Sequence, residues 1–197
     1  QFADFAVWQR RYVEGPAARE QLDYWREQLA GSPPLLELVP SRRRPPIQSH
    51  RGAAPRIEMP IASCRALRAL SCREGTTLFV ATMAAFAALV HRYAGADDIC
   101  IGTGVANRRW RETENLLGML INNVVLRINL SCNPTFRELL SQVREVTLDA
   151  NANQDVPFDR VVEALRPERN LSFNPLYQIM FNFHDAPLPS AAPAGLS

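Results

Sequence analysis

Residues 76–102 read TTLFVATMAAFAALVHRYAGADDICIG. In the first two thirds, Leu78, Phe79, Met83, Phe86, Ala87 and Val90 recur at helical spacing and cover more than one face. A helix that is apolar on several sides must be buried, so a central core helix is expected to about Tyr93, capped by Thr76 or Thr77. Its apolar run, Leu78 to Val90, is 13 residues interrupted by Thr82, well short of the roughly 20 that span a bilayer. Behind Asp97-Asp98, Ile99-Cys100-Ile101-Gly102 reads as a short strand.

Downstream, residues 119–130 make a near-continuous apolar strand interrupted by Asn122 and Asn123. Asn133 as cap and Pro134 in the first turn open a helix whose core face is Phe136, Leu139, Leu140, Val143, Val146 and Thr147. A shorter helix runs from Pro157-Phe158 to about Leu165, and Leu176 to Phe183 alternates as a last strand. Upstream, Gly75 ends a helix that begins near Ala62. Residues 2–14 form an amphipathic helix with Phe2, Phe5, Trp8 and Tyr12 on one side, stopped by Gly15-Pro16. The next helix places Leu22, Trp25 and Leu29 on one face and stops at Gly31. Helices alternating with strands, with two helices leading, predict an α/β (α+β) sandwich with a mixed sheet packed by helices. The chain divides into a helical entry segment (1–31), an exposed Pro/Arg-rich strap (32–54), the body of a lobe (55–185) and a linker or truncated loop (186–197).

Of 197 residues, 47% are apolar, enough for one substantial core, which excludes a disordered tail. The formal charge is only +2, so the total implies neither a nucleic-acid nor a membrane-surface partner. Every basic residue among the 22 is arginine, which excludes amine-based catalysis. Four widely spaced cysteines, Cys64, Cys72, Cys100 and Cys132, lack a CxxC pair and suggest buried free thiols in a reducing cytoplasm, with no metal site. The N-terminus carries no initiator Met or signal pattern, and the chain reads as excised from a longer one.

An enzyme needs a nucleophile or base. The histidines His50, His91 and His184 are scattered, without a doublet or metal-ligand spacing, and His184-Asp185 would point to opposite faces of a strand. No GxSxG, HExxH or GxxxxGK[ST] motif is present. Arg42-Arg43-Arg44 reads as a solvated basic loop without interleaved aromatics. The unusual polar residues are Asn122 and Asn123 within an apolar strand, Gln154-Asp155 before Val156-Pro157-Phe158, and Asn174-Pro175 before the last strand. On physics alone, one of the two asparagines faces solvent, Asp155 caps the helix at Pro157, and Asn174 forms a turn.

The same segments carry a resemblance. Phe2-Ala3-Asp4-Phe5-Ala6-Val7-Trp8-Gln9, with Gln21-Leu22-Asp23-Tyr24-Trp25 after it, resembles the aromatic-x-Asp-aromatic-Ala-x-Trp-Gln motif of condensation domains in nonribosomal peptide synthetases. Ile101 to Arg108, then Leu117-Gly118-Met119-Leu120-Ile121-Asn122-Asn123 and Arg127, is similar to the family stretch ending in Gly-x-Phe-Val-Asn-Thr with a downstream arginine. Asn153-Gln154-Asp155-Val156-Pro157-Phe158-Asp159 resembles its Gln-Asp-x-Pro-Phe-Glu motif, and Arg169-Asn170-Leu171-Ser172-Phe173-Asn174-Pro175-Leu176 its Arg-Asp-x-Ser-x-Asn-Pro-Leu motif. Departures are Gly104 for Pro, Leu120 for Phe, Asn123 for Thr, Asp159 for Glu and Asn170 for Asp.

The resemblance implies the C-terminal lobe of a two-lobed, chloramphenicol-acetyltransferase-like condensation domain, stopping before the family's last strands. The family's HHxxxDG motif is absent from this sequence, so no catalytic residue is assigned here, and the fragment is expected to be inactive alone. In the parent, a cytoplasmic enzyme of secondary metabolism, carrier-protein-bound acyl and aminoacyl thioesters would be joined as amides. By motif position, Asn122, Gln154, Asp155 and Asn174 shape or brace the inter-lobe tunnel, while Trp8, Arg127, Pro157, Phe158 and Arg169 hold the lobe. No cofactor or metal is expected on the chain itself. The phosphopantetheine arms belong to donor and acceptor carrier proteins, the other partners being the N-terminal lobe and an adjacent adenylation domain, with no nucleic acid or membrane. Within the same superfamily the alternatives are an inactive platform that recruits other enzymes, an epimerisation domain and a heterocyclisation domain.

Overall fold

The computed structural model describes residues 1–38, 44–49, 51–168 and 170–184. Arg42, Arg43, His50, Arg169, Asp185 and the 186–197 segment lie outside the described residues.

Two helices lead, α1 (Phe2–Glu14) and α2 (Pro16–Gln28), separated only by Gly15. Gly31, at φ +64°, adopts a left-handed conformation just beyond α2. After the Pro-rich stretch come α3 (Ile61–Arg73) and α4 (Leu78–Ala94). Thr77 is the cap of α4, its hydroxyl accepting from the Val80 N–H at 3.2 Å. Val80, Ala81, Met83, Ala84, Ala87 and Val90 are all buried, so α4 is the central core helix that its residues require.

Strand β1 (Asp98–Val105) follows, then a short helix α5 (Arg111–Glu114), strand β2 (Asn122–Asn129), α6 (Phe136–Ala152), α7 (Phe158–Leu165) and the two-residue strand β3 (Ile179–Met180). The sheet order is β2-β1-β3. β1 and β2 are antiparallel, from Asp98 opposite Asn129 to Val105 opposite Asn122, and β3 lies parallel to β1. Five consecutive buried residues, Ile99 to Thr103, mark β1 as a strand covered on both faces. α6 packs against β2 and α4, and α2 packs against α7. The result is an α/β arrangement with a mixed sheet. No single helix among the described residues is long and apolar enough to cross a membrane.

Several sequence expectations change. β2 begins at Asn122, not at Met119, because Met119 and Ile121 are exposed in the preceding loop while only Leu120 is buried. That loop is organised by Arg108, whose guanidinium donates to the carbonyls of Thr113, Glu114, Leu116 and Gly118. The cap of α6 is Thr135, not Asn133: Thr135 and Glu138 satisfy each other's backbone N–H groups in a capping box, and Asn133 sits in the preceding turn at φ +47°. Phe136 is exposed and Ala150 takes a core position instead. The last strand shrinks because Leu176 turns the chain at φ +67°, and past Met180 the contact with β1 continues through Phe181 N–H to Gly102 O, then through the Asn182 side chain on Gly104 N–H.

The strap is not simply exposed. Leu36 is buried, its N–H donates to Gln178 Oε1 at 2.7 Å, and its carbonyl accepts from Arg44. The cysteines are all free, but only Cys100 is buried; Cys64 is half-buried, and Cys72 and Cys132 are exposed.

Candidate site at the start of strand β2

β2 carries Asn122 on its first residue, beside the bend that joins α6 to α7. The Asn122 amide donates to Gln154 O at 2.8 Å and to Val156 O at 2.7 Å, and its Oδ1 accepts from Phe158 N–H at 3.0 Å. One side chain therefore stitches three points of the 154–158 segment and supplies the first turn of α7 with an acceptor. Pro157 stands at the cap position of that helix without a side-chain cap bond of its own. Asn122 thus faces the protein, not solvent, because the bend carries polar backbone groups that the apolar neighbours of Asn122 cannot satisfy.

Asp155 does not cap α7. Its Oδ2 accepts from Arg109 Nη1 at 2.9 Å and from Gln21 Nε2 at 3.2 Å, and the carboxylate is buried while Arg109 is nearly half exposed. Gln21 returns two more bonds, its Oε1 accepting from the Asp155 and Val156 N–H groups, each at 3.1 Å. One helical turn further along α2, Trp25 Nε1 donates to Asn153 O at 2.9 Å. Burial, and after it the Asp155 charge, raises the Tyr12 hydroxyl above its ordinary value.

Of the residues singled out by motif position, the structure brings Asn122, Gln154, Asp155, Pro157 and Phe158 together. Asn174 is elsewhere and exposed; its backbone carbonyl accepts from Gln178 Nε2 at 2.9 Å. Trp8 lies in a row of rings on α1, 5.2 Å from Tyr12 and 4.7 Å from Trp110 between centroids. Arg127 grips Asp98 through Nε and Nη2 and also donates to Gln28 O and Ala30 O, fastening the end of α2 to the sheet. Arg169 lies outside the described residues. His91 braces the end of α4 through Ala96 O, and His184 is exposed. Burial pushes the Cys100 thiol up to about 11, where it is inert as a nucleophile near neutrality. Among the described residues no three His, Cys, Asp or Glu side chains gather as a metal site.

Sequence reasoning does not single out Gln21, Trp25 or Arg109 as site residues. The spacing of Gln21 and Trp25 on one face of α2 is the available signal. Nothing in the sequence distinguishes Arg109 from Arg108.

A profile of the condensation domain matches residues 1–191. The chain belongs to the condensation domain family. A linear gramicidin synthase of Brevibacillus parabrevis is 48% identical over 195 residues, which cover 99% of this chain and 4% of that protein. Phosphinothricin tripeptide synthetase PhsC of Streptomyces viridochromogenes is 42% identical, over 94% of this chain and 17% of its own length. Among solved structures, the complex of the X-domain and OxyB from teicoplanin biosynthesis superposes with a TM-score of 0.88 at 30% identity, covering all of this chain and 46% of that one. A four-domain nonribosomal peptide synthetase bound to AMP and glycine gives 0.82 at 29% identity, covering 85% of this chain and 13% of that one. This condensation-domain chain therefore spans a small fraction of its synthetase relatives and under half of the X-domain structure.

Proposed function

We propose that this chain is the C-terminal lobe of a cytoplasmic condensation domain that, in the complete protein, forms amide bonds between carrier-bound thioesters. The observation that carries the reading is the Asn122 cluster: two motifs 32 or more residues apart in sequence meet at the mouth of β2 through three hydrogen bonds. The synthetase relatives support the reaction class.

The amine of an acceptor aminoacyl thioester attacks the carbonyl carbon of a donor acyl thioester. A C–N bond forms, the C–S bond breaks, and the sulfur leaves as a thiol after taking up a proton the nitrogen has lost. A thioester is already activated, so the protein's tasks are to align the amine, exclude water and manage that proton. The proton falls to a histidine of the other lobe, since this sequence contains no HHxxxDG, and the lobe alone is inactive. This chain contributes a fixed wall, Asn122 with the bend 153–158, and a rigid sheet behind it. The partners in this reading are the N-terminal lobe, donor and acceptor carrier proteins with their phosphopantetheine arms, and an adenylation domain. Asn174 and Arg169 belong to the same motif-based assignment. The division in this reading is a helical entry segment (1–31), a Pro/Arg-rich strap (32–54), the lobe (55–185) and a linker or truncated loop (186–197).

The X-domain likeness favours a second reading, a platform that recruits another enzyme without making a bond. Intact mass of the acceptor carrier decides. A gain equal to the donor acyl group supports amide formation. Unchanged mass with both carriers loaded supports the platform, exchange of the Cα proton for deuterium an epimerase, and additional loss of water a heterocyclising enzyme.

A further inference from the structure

We propose that Gln21, on α2, is a positioning residue for the bend that carries Asn122's partners, acting through the backbone of Asp155 and Val156; the inference rests on the amide-forming reading. Gln21 reaches residues more than 130 positions away in the chain. Its Oε1 accepts from the Asp155 and Val156 N–H groups at 3.1 Å, and its Nε2 faces Asp155 Oδ2 at 3.2 Å and Ala152 O at 3.4 Å. Asn122 holds the carbonyls of Gln154 and Val156 on either side. The 154–155 peptide is thus gripped by both side chains, the 155–156 peptide by Gln21 and the 156–157 peptide by Asn122, so the bend has its position set from two elements at once.

Only an amide side chain serves all of this. Its oxygen meets two donors while its nitrogen meets a carboxylate and a carbonyl, so a carboxylate at the same place keeps the first pair and repels the second. Asp155 is buried with Oδ1 unpartnered, which makes it sensitive to a second negative charge. The charged and titratable groups beside the cluster are Arg109 from the loop after β1, which pairs with Asp155, and Tyr12 from α1, whose hydroxyl feels Asp155, Arg109 and, last, the exposed Glu20 of α2.

The test uses the complete two-lobed protein with loaded carriers, measuring steady-state amide formation across carrier concentrations and melting temperature together. Gln21→Glu lowers kcat on the order of tenfold near pH 8 while KM for the carriers holds within about twofold, as expected of a misplaced wall. Burial and the nearby Asp155 carboxylate favour the protonated form of the new carboxylate, so the ratio of variant to wild-type kcat climbs as pH falls. The double variant Gln21→Glu with Asp155→Asn returns kcat toward wild type, because the donor and the charge have changed places beside Arg109.

Wild-type kcat in Gln21→Glu overturns the inference. So does a loss that is equal at every pH and unrescued by the double variant, and so does failure of both variants to fold, which would make Gln21 a folding residue only. A wild-type protein that makes no amide overturns the preceding reading and this one with it, whereas an active wild type with unaffected variants overturns this one alone.

Discussion

Replacing Asn122 by alanine removes two donors and one acceptor from the bend at 154–158. Val156 is 1% exposed, so water does not take over the bond to its carbonyl. The Phe158 N–H lies at the first turn of α7 and loses its acceptor too. Each made hydrogen bond contributes about 1 kcal/mol net, and a buried group left unpaired costs about 1–3 kcal/mol, so the variant is expected to lose about 3–4 kcal/mol. At a typical urea slope of about 2 kcal/mol/M, the midpoint falls by roughly 1.5–2 M with the slope unchanged. Asn122→Asp keeps the acceptor but points a carboxylate oxygen at two carbonyls, so near neutrality it is expected to be worse than alanine. Burial and those carbonyls raise the new group's pKa, so its extra cost shrinks as pH falls through that raised value and the protonated oxygen donates. Equilibrium urea unfolding of this chain, followed by circular dichroism, measures all three proteins. A loss in Asn122→Ala below about 1 kcal/mol would refute the reasoning, because it would mean the three bonds are replaced by solvent.

Arg127→Ala breaks a partly buried pair with Asp98 and frees the carbonyls of Gln28 and Ala30, for an expected loss of about 2–4 kcal/mol in the same unfolding experiment. Arg127→Lys recovers only part of it, since an ammonium cannot reproduce the fork. Gly102→Ala places a Cβ 2.5 Å from the Tyr177 ring, and the resulting overpacking costs about 1–3 kcal/mol, read as a lowered urea midpoint. Glu74 is held below its ordinary 4.5, first by its hydrogen bond to Arg137 and then by Arg73. A depressed carboxylate contributes stability above its unfolded pKa and loses it as pH falls through the folded value. The stability difference between wild type and Glu74→Gln should therefore be present at neutral pH and be lost progressively as pH falls below 4.5 through the depressed folded value in acid-titrated unfolding.

The helices are legible where a period and a stop signal coincide. Gly15-Pro16 divides α1 from α2, and the apolar residues of α4 identify the core helix before any contact is known. The strands are less legible at their ends. Met119 and Ile121 look like strand residues, but they are exposed on a loop whose shape comes from Arg108 binding four carbonyls, and no local pattern encodes that. Leu36 is buried in the core, with Gln178 meeting its backbone from 142 residues away, a pairing no local pattern encodes.

The candidate site divides the same way. Motif order draws attention to Asn122, Gln154 and Asp155, and the structure does bring them together. Physical reading of the isolated segments puts Asn122 or Asn123 toward solvent and Asp155 on a helix cap, because each polar side chain has a plausible local partner. Tertiary partners win: Asn122 caps α7 from another strand, and Asp155 pairs with Arg109 and Gln21. A polar residue's choice between a local and a distant partner depends on which backbone groups the fold leaves unsatisfied, and that is settled only when α2, β2 and the bend are in place.

The central claim is that this chain is half of an active site whose proton-handling histidine lies in a preceding lobe. Its most direct test is the coding sequence upstream of Gln1 in the native gene, read for about 100–200 residues, one domain's length. The account predicts an HHxxxDG motif within that segment. A condensation-type lobe there with its histidines replaced would contradict amide formation by this pair of lobes.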